Sequence, residues 1–212
     1  MLGSELISDT RDLLLDTVKP YLWSDAIILK FLNEAETQFC VRTHALLQFD
    51  VSLSISLGSA VYSLPANVLQ VVGAKVSTAT APLKPVTAES IEFIFGTTQD
   101  EPRAYSTDAG YQYITFYPAP DADYDVTLVC AITPENAIEE NTEASIPLEF
   151  QHLLCDFSAY KCFTMPDADG GNPETARECN QRWFEGVRDA KRQIFQHRGP
   201  RRVMMKSWTG GK

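Results

Sequence analysis

The sequence contains no hydrophobic run that approaches the roughly 20 residues needed to cross a bilayer. Its first residues carry acidic side chains and no basic stretch, so we expect no signal peptide and a protein made in the cytosol. A Walker motif and a G-x-G-x-x-G motif are also missing, which leaves nucleotide binding without support. The chain has 212 residues, of which 44% are hydrophobic and 22% charged. This composition predicts a folded protein with a substantial core.

Histidine and cysteine are few and widely spaced. His44, His152 and His197 lie on three separate segments, so no Ser-His-Asp or Cys-His arrangement is apparent and we expect no enzyme activity. The 5 cysteines include no C-x-x-C pair, which predicts reduced structural thiols, no zinc site and no cofactor. These cysteines are Cys40, Cys130, Cys155, Cys162 and Cys179.

Two acidic clusters have the residue types that bind a hard cation. Asp121, Asp123 and Asp125 lie between predicted strands, where aspartate also favours a turn through its own backbone hydrogen bonds. The second cluster is Asp167, Asp169 and Glu178, which follows EF-hand spacing poorly because Asn172 stands where that motif has glycine. We therefore expect turns and a polar loop, with no metal, and Ca²⁺ binding is the alternative.

Helical periodicity occurs at both ends of the chain. It predicts a first helix from about Ser4 to Val18, with Val18 on the buried side, and a second helix capped by Ser24. Near the C-terminus, Pro147 suits the first position of a third helix, and Asn172-Pro173 is a strong start signal for a fourth. Two helices alone cannot bury a core from both sides, so we expect the two pairs to pack together.

Between the helix pairs the hydrophobic period changes to two. Apolar residues alternate with polar ones over Phe49–Leu57, which predicts a half-buried strand. After a turn at Gly58-Ser59, Val61–Leu64 is interpreted as the hairpin partner of that strand. More short strands follow, and Glu89–Phe95 is predicted to form one or two helical turns. Strands at this spacing are typical of a small antiparallel sandwich or barrel.

The predicted fold class is α+β. A discontinuous four-helix bundle would comprise residues 1–47 and 146–198, and the small antiparallel β-sandwich or barrel would be an insertion comprising residues 48–145. Residues 199–212 would form an extended basic arm.

The end of the chain differs in charge from the rest. From Arg198 onward there are 5 basic residues and no acidic ones. Without these 5, the formal charge of −10 becomes −15, and so acidic a body disfavours conventional DNA binding. Met204, Met205 and Trp208 lie on a segment too short to bury them, which favours an arm that orders on another subunit. A nucleic-acid-binding tail and a mobile chain end are the alternatives.

A further acidic segment contains Glu135, Glu139, Glu140 and Glu143. Solvated surface is the simplest interpretation of such a loop. If the chain formed a ring around DNA, however, glutamates facing the channel would keep the passing duplex from adhering to the wall.

Several local motifs, in this order, resemble those of the head–tail adaptor (connector) proteins of podovirus-like short-tailed bacteriophages and related siphophages. The motifs are Trp23-Ser24-Asp25, Leu29–Ala35, Gly58 followed by Tyr62-Ser63-Leu64-Pro65, Ile114–Pro120 and Ile146–Glu149. The resemblance covers most of the chain.

This resemblance implies a structural protein of the virion head–tail junction, assembled in the host cytoplasm. It implies a ring, typically of twelve copies, that binds the portal protein on one face and a tail or nozzle protein on the other, and that double-stranded DNA crosses without sequence-specific contacts. No membrane is implied. The portal-binding residues would then be Arg198, Arg201, Arg202, Met204, Met205, Lys206 and Trp208.

Two other functions are compatible with the sequence. A ligand- or glycan-binding β domain on a helical stalk would use Tyr105, Tyr111, Tyr113 and Tyr117, although alternating tyrosines are commoner in sheet packing. A hydrolase with paired carboxylates, Asp121 with Asp125, is the third possibility.

Overall fold

A computed structural model describes residues 1–89, 98–108, 110–165 and 172–198. Within these ranges the protein is α+β, as predicted, with four α-helices and two small sheets. The helices are α1 (Gly3–Leu14), α2 (Asp25–Thr43), α3 (His152–Phe163) and α4 (Pro173–His197). The predicted helical turns at Glu89–Phe95 fall almost entirely outside the described residues.

Helix α1 ends earlier than the periodicity predicts. Leu15 takes a left-handed conformation with φ of 56°, and the carboxylate of Asp16 then accepts hydrogen bonds from the backbone N–H groups of Leu22 and Trp23. These bonds stabilise a loop where a further helical turn was expected. The side chain of Val18 is 78% exposed, so its assignment to the buried side was wrong.

The predicted starts of α2 and α4 are confirmed by their caps. The Ser24 hydroxyl accepts from the N–H of Ile27 at the start of α2. The Asn172 side chain accepts from the N–H groups of Glu174 and Thr175 at the start of α4, with Pro173 in the first turn. Each cap satisfies backbone donors that the helix itself leaves unpaired.

Helix α3 is buried on nearly all of its sides and contacts the other three helices. A short 3-10 turn, Leu148–Phe150, precedes it. Trp183 of α4 packs against Phe157 of α3 and Phe39 of α2, with ring centroids 5.0 and 6.4 Å apart. Residues of all four helices therefore belong to one hydrophobic cluster, which confirms that the N- and C-terminal helix pairs pack together.

Seven strands lie between α2 and α3 in the part of this segment that the structure describes. They are β1 (Leu46–Ile55), β2 (Val61–Ser63), β3 (Val68–Val76), β4 (Lys84–Pro85), β5 (Ala104–Ser106), β6 (Tyr113–Tyr117) and β7 (Tyr124–Ile132). One sheet has the order β1-β7-β3 and is antiparallel. The other has the order β2-β6-β5-β4, in which only the β4–β5 pair is parallel. Both sheets contribute to a second hydrophobic cluster.

The predicted hairpin between the first two strands is wrong. β1 pairs with β7, whereas β2 pairs with β6 in the other sheet. The turn after β1 is instead held by Tyr62, whose hydroxyl accepts from the N–H of Ser56 and lies 2.8 Å from the carbonyl of Ser59. The chain therefore changes sheets at this turn.

The alternating pattern of the first strand is only partly reflected in its burial. Val51 and Ile55 are buried, but Phe49 and Leu57 are each 61% exposed. An irregularity in the β1–β7 register between Gln48 and Val51 interrupts the alternation at Phe49, and Leu57 lies beyond the end of the strand.

The segment that returns from β7 to α3 is fastened to α2 by a buried carboxylate. Glu36 is 1% exposed and accepts hydrogen bonds from the N–H groups of Ser145 and Ile146, at 2.5 and 3.3 Å. Burial raises the pKa of Glu36 above its ordinary value of 4.5, and the two N–H groups partly oppose this rise.

The raised pKa of Glu36 predicts a pH-dependent stability. As pH rises past 4.5 the unfolded state loses its proton first, so stability present at lower pH is lost as the pH passes through the folded-state pKa. The uncharged Glu36→Gln variant does not have this loss. Its free energy of unfolding relative to that of wild type should therefore increase as the pH is raised from about 4 to about 8. Urea unfolding of both proteins across this range measures the difference. Glu149→Gln, at an exposed position, is the control, and a pH-independent difference for Glu36→Gln would contradict the prediction.

Candidate interaction surfaces

Arg198, which immediately precedes the predicted arm, lies at the junction between the helices and the sheets. The Arg198 guanidinium donates hydrogen bonds to the backbone carbonyls of His44 and Ala45, the two residues that connect α2 to β1. The other predicted portal-binding residues lie outside the part of the chain that the structure describes. Arg198, the last described residue before the predicted arm, therefore contacts the segment that connects α2 to β1.

His44 itself contributes to this junction. It ends α2 in a left-handed conformation with φ of 54°. Burial lowers its pKa, and the nearby cations Lys191 and Arg198 lower it further, although a hydrogen bond with Gln70 opposes the shift. The neutral imidazole is therefore favoured beside these two cations. His152 and His197 lie at the first position of α3 and the last of α4.

The predicted acidic loop packs against the N-terminus of α1. The N–H groups of Gly3 and Ser4 donate to the carbonyls of Thr142 and Glu140, each at 2.9 Å. Asn33 of α2 makes hydrogen bonds of 2.6 and 3.0 Å with the backbone of Ile138. All four predicted glutamates are exposed. The loop therefore has an ordered backbone that presents carboxylates to solvent.

A groove between α2 and α4 was missed by the sequence analysis. Val41, Arg42, Phe184, Val187, Arg188 and Lys191 line it together with Glu185, and its volume is about 490 Å³. Phe184 is 46% exposed and Val41 44% exposed. The signal available in the sequence was Phe184, a large aromatic residue that falls outside the apolar stripe of a strongly amphipathic helix.

The tyrosines of the alternative ligand site do not form one surface. Tyr105 is buried in the β core, whereas Tyr111 and Tyr113 are exposed. A cleft of about 670 Å³ in the β region is lined by residues around Pro82 and Pro102 and by none of the four tyrosines. The arrangement gives no support to a shared aromatic binding site.

The carboxylates of the turn before β7 are engaged in holding that turn. Asp121 accepts from the hydroxyl of Tyr124, Asp123 from the N–H of Leu57, and Asp125 from the hydroxyl of Ser54. These bonds favour the interpretation as a structural turn.

Within the described residues, no group of three or more histidine, cysteine, aspartate or glutamate side chains is arranged to hold a metal ion. Of the second acidic cluster, Asp167 and Asp169 fall outside these residues, and Glu178 is exposed on α4.

The five cysteines are buried. Burial raises the pKa of Cys40, Cys155 and Cys162 to about 12 and that of Cys130 to about 11. These thiols stay protonated at neutral pH, and a protonated thiol is a poor nucleophile and metal ligand.

A protein-family model described as SU10 adaptor protein matches residues 1–205. No curated protein matches the chain. In the part of the chain that the structure describes, no helix has the length and apolar character needed to span a membrane.

The contact between α1 and the acidic loop predicts a specific sensitivity at Gly3. A β-carbon at this position would lie 2.1 Å from the carbonyl oxygen of Glu139, so Gly3→Ala must displace the loop backbone and should cost roughly 1–3 kcal/mol of stability. Gly73→Ala is the matched control, because a β-carbon there meets nothing within 4 Å. Chemical denaturation compares the two, and equal stability of both variants would disprove the close contact.

Proposed function

The chain belongs to the SU10 adaptor protein family and is a structural adaptor protein of a bacteriophage, and from this premise we propose that it forms a ring between portal and tail. Adaptors of this kind are virion components that interact with phage portal and tail proteins. The proposed ring has twelve copies, extends the DNA channel below the portal and offers the attachment surface for a tail or nozzle protein. The single observation that carries the proposal is the family match over residues 1–205.

The proposed work of the protein is geometric and involves no catalytic turnover. Structural adaptor families are generally non-enzymatic, and the buried thiols and hydrogen-bonded aspartates agree with this role. In the proposed architecture, residues 1–47 and 146–198 form a four-helix bundle and residues 48–145 an inserted β-sandwich. The ring would stand at the head–tail junction of a short-tailed phage, after assembly in the host cytoplasm.

Residues 199–212 are the proposed anchor on the portal. Arg201, Arg202 and Lys206 supply positive charge, and Met204, Met205 and Trp208 supply apolar surface. An arm that orders only on its partner has a modest affinity by itself. Presented together by a ring, many arms would bind with a much larger combined affinity.

Deletion of residues 199–212 tests the arm. Because α4 ends at His197, before this segment, the truncated protein should keep its thermal unfolding transition while losing portal binding. Co-sedimentation with purified portal rings measures the loss. Wild-type binding by the truncated protein would refute the role of the arm.

Two substitution sets separate the contributions within the arm. Met204→Ala with Met205→Ala and Trp208→Ala removes the apolar anchors and keeps every charge. The second set removes three positive charges and keeps the apolar side chains; it consists of Arg201→Gln, Arg202→Gln and Lys206→Gln. The first set should weaken portal binding at all salt concentrations, whereas the second should also reduce the salt dependence of binding.

The placement of Glu135, Glu139, Glu140 and Glu143 on the channel wall stays a prediction. If it holds, changing all four to glutamine should leave ring assembly intact and slow DNA passage, because phosphates would adhere to a less negative wall. Ejection kinetics from assembled particles measure this, and an unchanged rate removes the channel role.

A further inference from the structure

We propose that the groove between α2 and α4 of one copy receives the acidic surface formed by α1 and the 139–143 loop of a second copy. The inference rests on the proposed ring and names the surfaces by which its neighbouring subunits would contact each other. We call them the basic groove (Val41, Arg42, Phe184, Arg188 and Lys191) and the acidic face (Glu5, Asp9, Asp12, Glu139, Glu140 and Glu143).

The basic groove combines apolar surface with positive charge. The Arg42 guanidinium lies 5.1 Å from the centroid of the Phe184 ring, and Arg188 and Lys191 follow on the same side of α4. The carboxylate of Glu185, the one acid lining this groove, already accepts a hydrogen bond of 2.9 Å from Gln181. Exposed aromatic and arginine side chains of this kind are enriched at protein interfaces.

The acidic face has the opposite charge and little internal compensation. All six of its carboxylates are exposed, and none of them takes part in an ion pair within the described residues. Arg11, the basic residue of α1, is 6% exposed and forms ion pairs with Asp16 and Asp25, at 2.8 and 2.5 Å. The face is therefore an uncompensated negative surface.

The two surfaces belong to helices that lie on either side of α3 in the contact pattern. Helix α3 packs against α1 on one side and α4 on the other, and α1 and α4 make no comparably extensive contact within the described residues. The Met1 ammonium donates to Gln151 at 2.7 Å, while Leu153, two residues further, lies against Gly186 of α4. The N-terminus beside the loop and the middle of α4 therefore both contact the beginning of α3.

Two different, complementary patches on separate sides of one subunit form a heterologous contact, and such contacts close into rings when the rotation allows it. A two-fold symmetric contact through either patch alone would instead bring like charges together, which is unfavourable. The pattern of charge therefore favours a second copy in ring order as the occupant of the groove.

Charge reversal tests the pairing on full-length protein. One variant carries Arg188→Glu and Lys191→Glu, and the other carries Glu139→Lys and Glu140→Lys. Where the 139–143 loop of one copy meets Arg188 and Lys191 of the next, each variant alone places like charges opposite each other, so its assembly should weaken by about tenfold or more relative to wild type. Mixed in equal amounts, the two variants can alternate around a ring. Half of the contacts then pair the substituted groove with the substituted loop, the other half are those of the wild type, and assembly should recover.

Native mass spectrometry, with and without portal rings, measures ring formation, and circular dichroism establishes that both variants are folded. Lys75→Glu with Lys84→Glu is the control for the groove variant, because it makes the same charge change at exposed positions of the β region. Normal assembly of either groove or loop variant would overturn the pairing and leave the ring proposal standing. Failure of the mixture to recover would also overturn it.

The groove contact and the channel wall are alternative placements for Glu139, Glu140 and Glu143, and the same experiment decides between them. Glutamates facing the channel would allow Glu139→Lys with Glu140→Lys to assemble normally, whereas glutamates in a neighbour's groove would not. If wild-type protein forms no ring alone or on the portal, the proposed function fails, and with it the contact that depends on a ring.

Discussion

The structure depends on the burial of α3 between the other helices. This helix is apolar on most of its surface and has few sides that could face water, so it folds only where α1, α2 and α4 cover it. Because α1 and α2 come from one end of the chain and α3 and α4 from the other, this requirement brings the two ends together. The seven strands are then held as an insertion whose entry and exit both lie beside α2.

Polar contacts determine how the insertion joins the helices. At the entry, Arg198 binds the carbonyls of the connecting residues His44 and Ala45. At the exit, Glu36 and Asn33 bind the returning backbone. These are side-chain bonds to backbone groups that the helices and sheets leave unpaired, so they contribute both stability and a defined orientation. The proposed portal arm begins directly after one of them.

The candidate surfaces differ in how well sequence reasoning could find them. The acidic loop was identified from its composition, and the structure adds that its backbone is fastened to α1. The basic groove was missed, because Val41 and Phe184 are far apart in sequence and become neighbours only when α2 and α4 lie side by side. The arm was predicted from its positive charge and from methionine and tryptophan residues on a segment too short to bury them, which need no tertiary information, and its role stays a proposal.

Sequence alone determined the features that depend on neighbouring residues. The N-caps at Ser24 and Asn172, the change of period after α2 and the burial of the helical cysteines all follow from local patterns of polarity and hydrogen-bonding groups. Only the tertiary structure decided that β1 pairs with β7 instead of β2, that α1 stops at Leu14, and which helices form the groove. Strand pairing and groove formation join residues that are distant along the chain, and the loop after α1 depends on the Asp16 carboxylate reaching backbone groups six and seven residues ahead. A local sequence pattern does not indicate with which of several possible partners a strand, a helix face or a carboxylate will interact.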